Sequence, residues 1–180
     1  VMLSAESAIG HDPVNTVATM SRVAERADQE FDYEAWARRI RHLRRSAVGD
    51  SPDDKLTDAM TAAACRSATE MGVAAIICIS DSGLTVRSTA RFRPSMPIIA
   101  FSPNERTLRQ LSMSWGTITL RAPNHVDTLA LMEDLVVQAR DAGLVKPGET
   151  VAVLAGVGSR SSTRPGHRTA PAPGRLRDAP

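Results

Sequence analysis

Aromatic residues are scarce in this 180-residue sequence: one Tyr, two Trp and three Phe, or 3% of the chain. Any core must therefore be aliphatic and rich in alanine, and the 42% apolar content suits a globular protein. Cysteine is almost missing. Cys65 and Cys78 both lie in apolar surroundings, with no CxxC pattern, and the four histidines are scattered. That argues against a disulfide framework and against a Cys/His metal site. The two thiols read as small buried hydrophobes of a reducing, cytoplasmic setting. No apolar run approaches the roughly 18 residues a membrane helix needs, so no membrane partner is expected. The sequence shows no secretory leader. Its start at Val1 rather than Met is expected of a piece of a longer protein.

Positive charge is also less plentiful than the formal +2 suggests. From Ser159 onward there are five arginines and one aspartate, net +4, which leaves −2 for the rest. The basic pI belongs to the tail, so no nucleic-acid surface is expected on the fold.

What is present is a regular alternation of apolar runs and helical periodicity. VMLSA at 1–5 reads as the end of a buried strand, 6–12 as a loop, and Pro13 as the first turn of a helix. Val14, Val17, Met20 and Ala24 then recur at helical spacing. YEAWARRIRHLRRSAV at 33–48 predicts an amphipathic helix, with Trp36, Ile40 and Leu43 on one side. Its five arginines read as a solvated face. GDSPDD at 49–54 is a turn-rich boundary.

Residues 55–71 read as an alanine-rich helix with Gly72 at its C′ position. VAAIICI at 73–79 is a continuous apolar run, as expected of a strand covered on both faces. A helix at about 84–92 and a strand PIIAF at 97–101 follow. In SPNERTLRQLSMSWG, Ser102 reads as N-cap, Pro103 as N1 and Glu105 as N3 of a capping box, with Gly116 closing that helix. TITLRA is a third strand, 126–142 a helix ended by Gly143, and TVAVLAG a fourth strand. The spacing predicts an α/β fold: a mostly parallel sheet with helices on both faces. Beyond residue 158 the Pro-, Arg- and Gly-rich composition reads as a disordered basic tail.

The chemistry of interest lies in ISDSGLTVRSTARFRP at 79–94, where a Ser-x-Ser-Gly-x-Thr turn follows the first sheet strand. Ligands of parallel sheets sit at the carboxyl ends of strands. Gly83 permits a tight turn and close approach of a ligand. The next helix starts with unpaired N–H groups and a positive dipole end. Ser80, Ser82 and Thr85 can add hydroxyl donors, which makes a donor-rich cup for a phosphate. The same residues would also serve as an ordinary helix cap, and local sequence leaves both readings open. Asp81 would have to point away from any bound anion.

The stretch ISDSGLTVRSTARFRPSMPIIAFSPNERTLRQLSMSWG resembles the carboxy-terminal domain of pyruvate kinase. That family shows a strand, a Thr/Ser-x-Ser-Gly-x-Thr/Ser loop, a basic segment ending in Arg-Pro, and a strand leading into a Thr/Ser-Pro-Asn helix start. Upstream, VMLSAESAIGHDPVNTVATMSRVAE resembles the last strand and helix of the family's catalytic barrel. The matching positions are Met2, Leu3, Ser4, Glu6, Ser7, Ala8, Gly10 and Pro13. The resemblance divides the chain into a barrel remnant (1–30), a connecting helix and boundary (31–54), a pyruvate kinase C-terminal-like α/β domain (55–158) and the tail (159–180).

It implies phosphoryl transfer from phosphoenolpyruvate to ADP for the whole enzyme, with Mg²⁺ and K⁺, and a regulatory domain that helps build a homotetramer. In many members the loop matching Ser80, Ser82, Gly83 and Thr85 holds a phosphate of a sugar-phosphate effector, commonly fructose 1,6-bisphosphate. Ser4 and Glu6 fall at the edge of the family's active site. The catalytic lysine and the metal-binding carboxylates of the family lie earlier in the barrel than Val1. The chain alone is therefore expected to bind no catalytic metal and to be inactive. The family's closing Gly-Ser/Thr-x-x-Leu-Arg-Val strand has no counterpart after GSRSST. Three readings follow: a regulatory piece of pyruvate kinase, a stand-alone phosphometabolite-binding or interaction module, or a decayed gene product.

Overall fold

The computed structural model describes residues 2–45, 52–123 and 127–155. The expected tail at 159–180 and residues 49–51 of the boundary at 49–54 lie outside these residues, while 52–54 open a helix. Four strands, β1 (Ala75–Ile79), β2 (Ile98–Ser102), β3 (Thr117–Arg121) and β4 (Val151–Ala155), form one sheet in the order β3-β2-β1-β4. Every described pairing is parallel, for example Ile77 with Ile99 and with Val153. Among the described residues seven helices surround or precede it: α1 (Ala5–Ala8), α2 (Pro13–Gln29), α3 (Tyr33–Arg45), α4 (Pro52–Met71), α5 (Leu84–Ala90), α6 (Glu105–Leu111) and α7 (Thr128–Asp141).

The sheet's two faces are covered by different helices, so its central strands are apolar at every position but Ser102, the last of β2. Side chains alternate across a strand. Ile76, Cys78, Ile98 and Ala100 pack with Cys65, Ala68, Val86, Ala90 and Leu111 of α4, α5 and α6. Ala75, Ile77, Ile99 and Phe101 pack with Leu135 and Ala139 of α7. The four isoleucines are fully buried, each contributing roughly 1.5–3 kcal/mol relative to exposure.

Several sequence expectations need correction, among them the loop expected at 6–12, where α1 occupies Ala5–Ala8. Among the described residues, 2–5 do not form a strand: Met2 is 87% exposed and α1 begins at Ala5. A strand needs at least one paired neighbour to satisfy its backbone groups, and the described sheet is assembled from residues 75 onward. Another correction concerns α6. Its N-cap is Asn104, whose side chain accepts hydrogen bonds from the N–H groups of Arg106 and Thr107. Ser102 instead ends β2, and its Oγ accepts the Asn104 N–H at 3.2 Å. Asn is as good a cap as Ser, and starting α6 later lets Ser102 complete the ladder with Arg121.

Gly116 follows a turn after α6 rather than capping it, with φ +57° before β3. At α7 the ending is as expected: the Gly143 N–H bonds Arg140 O and the Leu144 N–H bonds Ala139 O. α2 carries no buried residue, and Val14 and Val17 lie exposed on it. α3, by contrast, is anchored: Ile40 packs on the α4–α6 side of the core, and Trp36 Nε1 donates to Arg91 O at 3.0 Å.

Candidate effector site

The strand order creates a topological switch. From β1 the chain proceeds through α5 and α6 to β2 and β3 on one side, then crosses by α7 to β4 on the other. In such sheets the crevice outside the carboxyl ends of the diverging strands is the usual ligand position. The Ser80–Thr85 turn leaves the carboxyl end of β1, the strand flanked by β2 and β4.

Inside that turn the groups are tightly interlocked. The Ser80 N–H continues the sheet by donating to Phe101 O at 3.0 Å. Ser80 Oγ accepts the Gly83 N–H at 3.0 Å, and Ser82 Oγ accepts the Leu84 N–H at 3.4 Å. Gly83 itself is buried with φ +77°, the left-handed conformation that favours glycine. Two anchors hold the turn from α6 and β2: Thr107 Oγ1 donates to Asp81 O at 2.8 Å, and Ser102 Oγ donates to the same carbonyl at 3.5 Å. The Asp81 side chain is exposed.

Both open readings of the turn meet here. As caps, Ser80 and Ser82 each accept one loop N–H. A hydroxyl that accepts still has its proton to donate. The first helical bond of α5 runs from Arg87 N–H to Gly83 O, so the N–H groups of Thr85 and Val86 precede any intrahelical acceptor. Arg87 folds back over the turn, with its guanidinium donating to Ser82 O at 3.2 Å. Its contact with the loop was only a proximity in sequence. Thr107 gave no signal at all, because its role comes from a neighbouring crossover helix.

Ser4 and Glu6 sit apart from this turn in chain order, on the exposed segment around α1. Ser4 Oγ donates to Glu6 Oε2 at 2.8 Å. The backbone N–H of Glu6 and then this hydroxyl hold the fully exposed Glu6 carboxyl below its usual value. Among the described residues no three His, Cys, Asp or Glu side chains converge as metal ligands. Cys65 and Cys78 flank Thr89: Cys65 Sγ lies 3.8 Å from Thr89 O and Cys78 Sγ 3.8 Å from Thr89 Oγ1. Burial pushes these thiols up to about 12 and about 11 respectively, which makes them poor nucleophiles.

The sequence profile of the family described as "Pyruvate kinase, alpha/beta domain" matches residues 58–164. The chain belongs to the pyruvate kinase family. It is 34% identical over 158 residues to a pyruvate kinase of Clostridium acetobutylicum, covering 87% of this chain and 32% of that protein. To a pyruvate kinase of Geobacillus stearothermophilus it is 38% identical over 158 residues, covering 87% and 25%. A pyruvate kinase crystal structure from Cryptosporidium parvum superimposes with a TM-score of 0.72 at 28% identity, over 87% of this chain and 31% of the other. The structure of a Cryptosporidium parvum pyruvate kinase in complex with ADP gives 0.68 at 28% identity, over 92% and 31%. The chain thus spans a third or less of the length of these pyruvate kinases. No helix among the described residues is long and apolar enough to cross a membrane.

Proposed function

We propose that this chain serves as the regulatory and oligomer-forming part of a pyruvate kinase, and that its Ser80–Thr85 turn receives a phosphate of an effector. The observation that carries the reading is position: a glycine-centred turn with three hydroxyl residues, an overlying arginine and free first-turn amides leaves β1 at the sheet's switch point. Ser80, Ser82 and Thr85 would donate hydroxyl protons, Gly83 would let the phosphate approach the backbone, and Arg87 would supply charge. A sugar bisphosphate such as fructose 1,6-bisphosphate has the right chemistry. The whole enzyme's reaction, phosphoryl transfer from phosphoenolpyruvate to ADP with Mg²⁺ and K⁺, needs cationic groups around the moving phosphoryl. Ser4 and Glu6 supply none, so the chain by itself carries out no transfer. The domain division follows the same reading, with 1–30 a barrel remnant, 31–54 a connector and 55–158 the regulatory domain of a cytoplasmic homo-oligomer.

The test is a pair of measurements on the full chain. A coupled assay with phosphoenolpyruvate and ADP should give background turnover. Thermal unfolding with fructose 1,6-bisphosphate at about 100 times its Kd should show a gain of roughly 2.7 kcal/mol, since a ligand of the folded state stabilises it by mass action. Turnover above background refutes the inactivity. A melting temperature indifferent to sugar phosphates refutes the effector turn.

A stand-alone phosphometabolite-binding module remains the second reading, favoured by one observation. Both faces of the sheet find their covering helices within residues 52–155. Light scattering separates the two, because a monodisperse monomer that binds the bisphosphate fits the module and a tetramer fits the enzyme part.

A further inference from the structure

A second concave site shares no lining residue with the Ser80–Thr85 turn. It is a cleft of about 400 Å³ between α3 and α4, closed at one end by the segment joining α5 to β2. That volume falls within the range of small-molecule sites. We propose that this cleft binds a small organic anion: an apolar or aromatic body carrying one carboxylate or phosphate.

The floor argues for the body. Ala62, Cys65 and Phe92 line it, and Cys65 and Phe92 are buried members of the core. A rigid apolar floor gains from burying an apolar group and gives nothing to a hydrated inorganic ion. The walls argue for the charge. Four guanidiniums line the cleft (Arg38, Arg41, Arg66 and Arg93) against two carboxylates (Glu34 and Glu70), a balance of two positive charges. The carboxylates are already used. Glu34 pairs with Arg38 at 3.2 Å and Glu70 with Arg66 at 3.8 Å, each within its own helix. Arg93 has its charge over aromatic rings, which attract a cation and leave it uncompensated. Arg41 has no carboxylate partner among the described residues and is half-buried on the cleft wall. A guanidinium offers a planar fork that matches a carboxylate or phosphate in two parallel bonds. An anion seated at Arg41, with its body on Phe92 and Ala62, satisfies both halves of the site.

The full chain is titrated calorimetrically with phenylacetate and with phenyl phosphate, which separate the carboxylate source from the phosphate source. Benzyl alcohol (body without charge) and inorganic phosphate (charge without body) serve as controls. At least one aromatic anion should bind at roughly millimolar concentration or tighter, and about tenfold tighter than either control. Arg41→Ala should weaken that binding by about tenfold or more, and Arg41→Lys should restore part of it. Thr69→Trp, at an exposed position on the rim of α4, should block the cleft. Unchanged melting of the variants keeps the comparison one of binding. Undiminished binding by Arg41→Ala, equal binding of benzyl alcohol, or no binding by either aromatic anion would each overturn the proposal.

Discussion

The guanidinium carbon of Arg93 lies 4.5 Å from the ring centre of Trp115. Trp36 and Phe31 complete the enclosure at 4.8 and 5.1 Å. Tyr33 meets Phe31 edge-on, with ring centres 4.8 Å apart, and Trp115 at a tilt, at 6.3 Å. Four of the chain's six aromatic residues thus gather around one cation. They come from the α2–α3 junction, from α3 and from the turn before β3, so the cage ties the helical connector to the α/β sheet. Arg93 adopts φ +49°, a left-handed conformation in a residue other than glycine. Such strain persists only where the surroundings over-determine it.

The backbone and the side chain of Arg93 therefore act in opposite directions, and two variants separate them. Arg93→Ala removes the caged cation and keeps the strain, so it should lower stability by roughly 1–3 kcal/mol. Arg93→Gly removes the same side chain and relieves the strain, so it should be the milder change by about 1 kcal/mol. Each kcal/mol should move the melting temperature by about 2–4 °C in a chain of this size. Equal losses in the two variants would mean that the left-handed backbone stores nothing.

At Gly83 the backbone and the space agree. An added Cβ would lie 2.8 Å from an Arg87 guanidinium nitrogen, 3.1 Å from Leu111 Cδ2 and 3.2 Å from Thr107 Cγ2. The arginine can swing away, but Leu111 and Thr107 are buried. Gly83→Ala should destabilise by about 1–2 kcal/mol from the left-handed φ and more from the contacts. It should also abolish the melting shift with fructose 1,6-bisphosphate. Ser82→Ala, at an exposed position, gives up only a long cap bond of 3.4 Å and should cost less stability than Gly83→Ala while reducing the shift. Undiminished bisphosphate binding by both variants would detach the effector from this turn.

These two sites mark how far the sequence could be read. The strands VAAIICI and PIIAF were legible because burial on both faces leaves an unbroken apolar run, and the glycines at 72 and 143 marked helix ends by their left-handed φ. The turn at 80–85 was legible as a motif, since its Ser-x-Ser-Gly order is local. The cage was not. Phe31, Trp36, Arg93 and Trp115 are brought together only by tertiary packing, and no local pattern announces an arginine at positive φ. The start of the chain misled for a related reason: VMLSA has strand composition, but strand formation depends on pairing partners, which a short window does not contain. At Ser102 two good caps competed two residues apart, and sheet register decided for Asn104.

The buried thiols predict a loss of stability in alkali. Burial holds Cys65 up to about 12 and Cys78 up to about 11 in the folded state, against an ordinary 9.0. Their folded values are raised, so the unfolded chain releases protons first. The contribution is intact below pH 9 and is lost progressively as pH climbs from there toward 11 and 12. Each thiol adds a slope of up to about 1.4 kcal/mol per pH unit in that window. Denaturant unfolding at pH 8, 9 and 10 measures it. Cys78→Ala should flatten the decline by about half, and a decline identical in the variant would assign it to other groups.

The last prediction concerns α2. Its cap is sound: Asp12 Oδ1 accepts the Asn15 N–H at 3.0 Å, and Pro13 occupies the first turn. Yet a good cap does not make a stable helix, because most helix stability in proteins comes from packing an apolar face. Val14 is 79% exposed, Val17 47% and Val23 61%, so the apolar side of α2 gains little from burial. Its hydrogen bonds should therefore open without disturbing the sheet. Amide exchange along Thr16–Gln29 should run at least about a thousandfold faster than at Ile76–Cys78, whose opening requires global unfolding. Val17→Glu should leave the melting temperature of the sheet unchanged. Matching protection in α2 and β1 would show that the helix is docked on the domain and belongs to its cooperative unit.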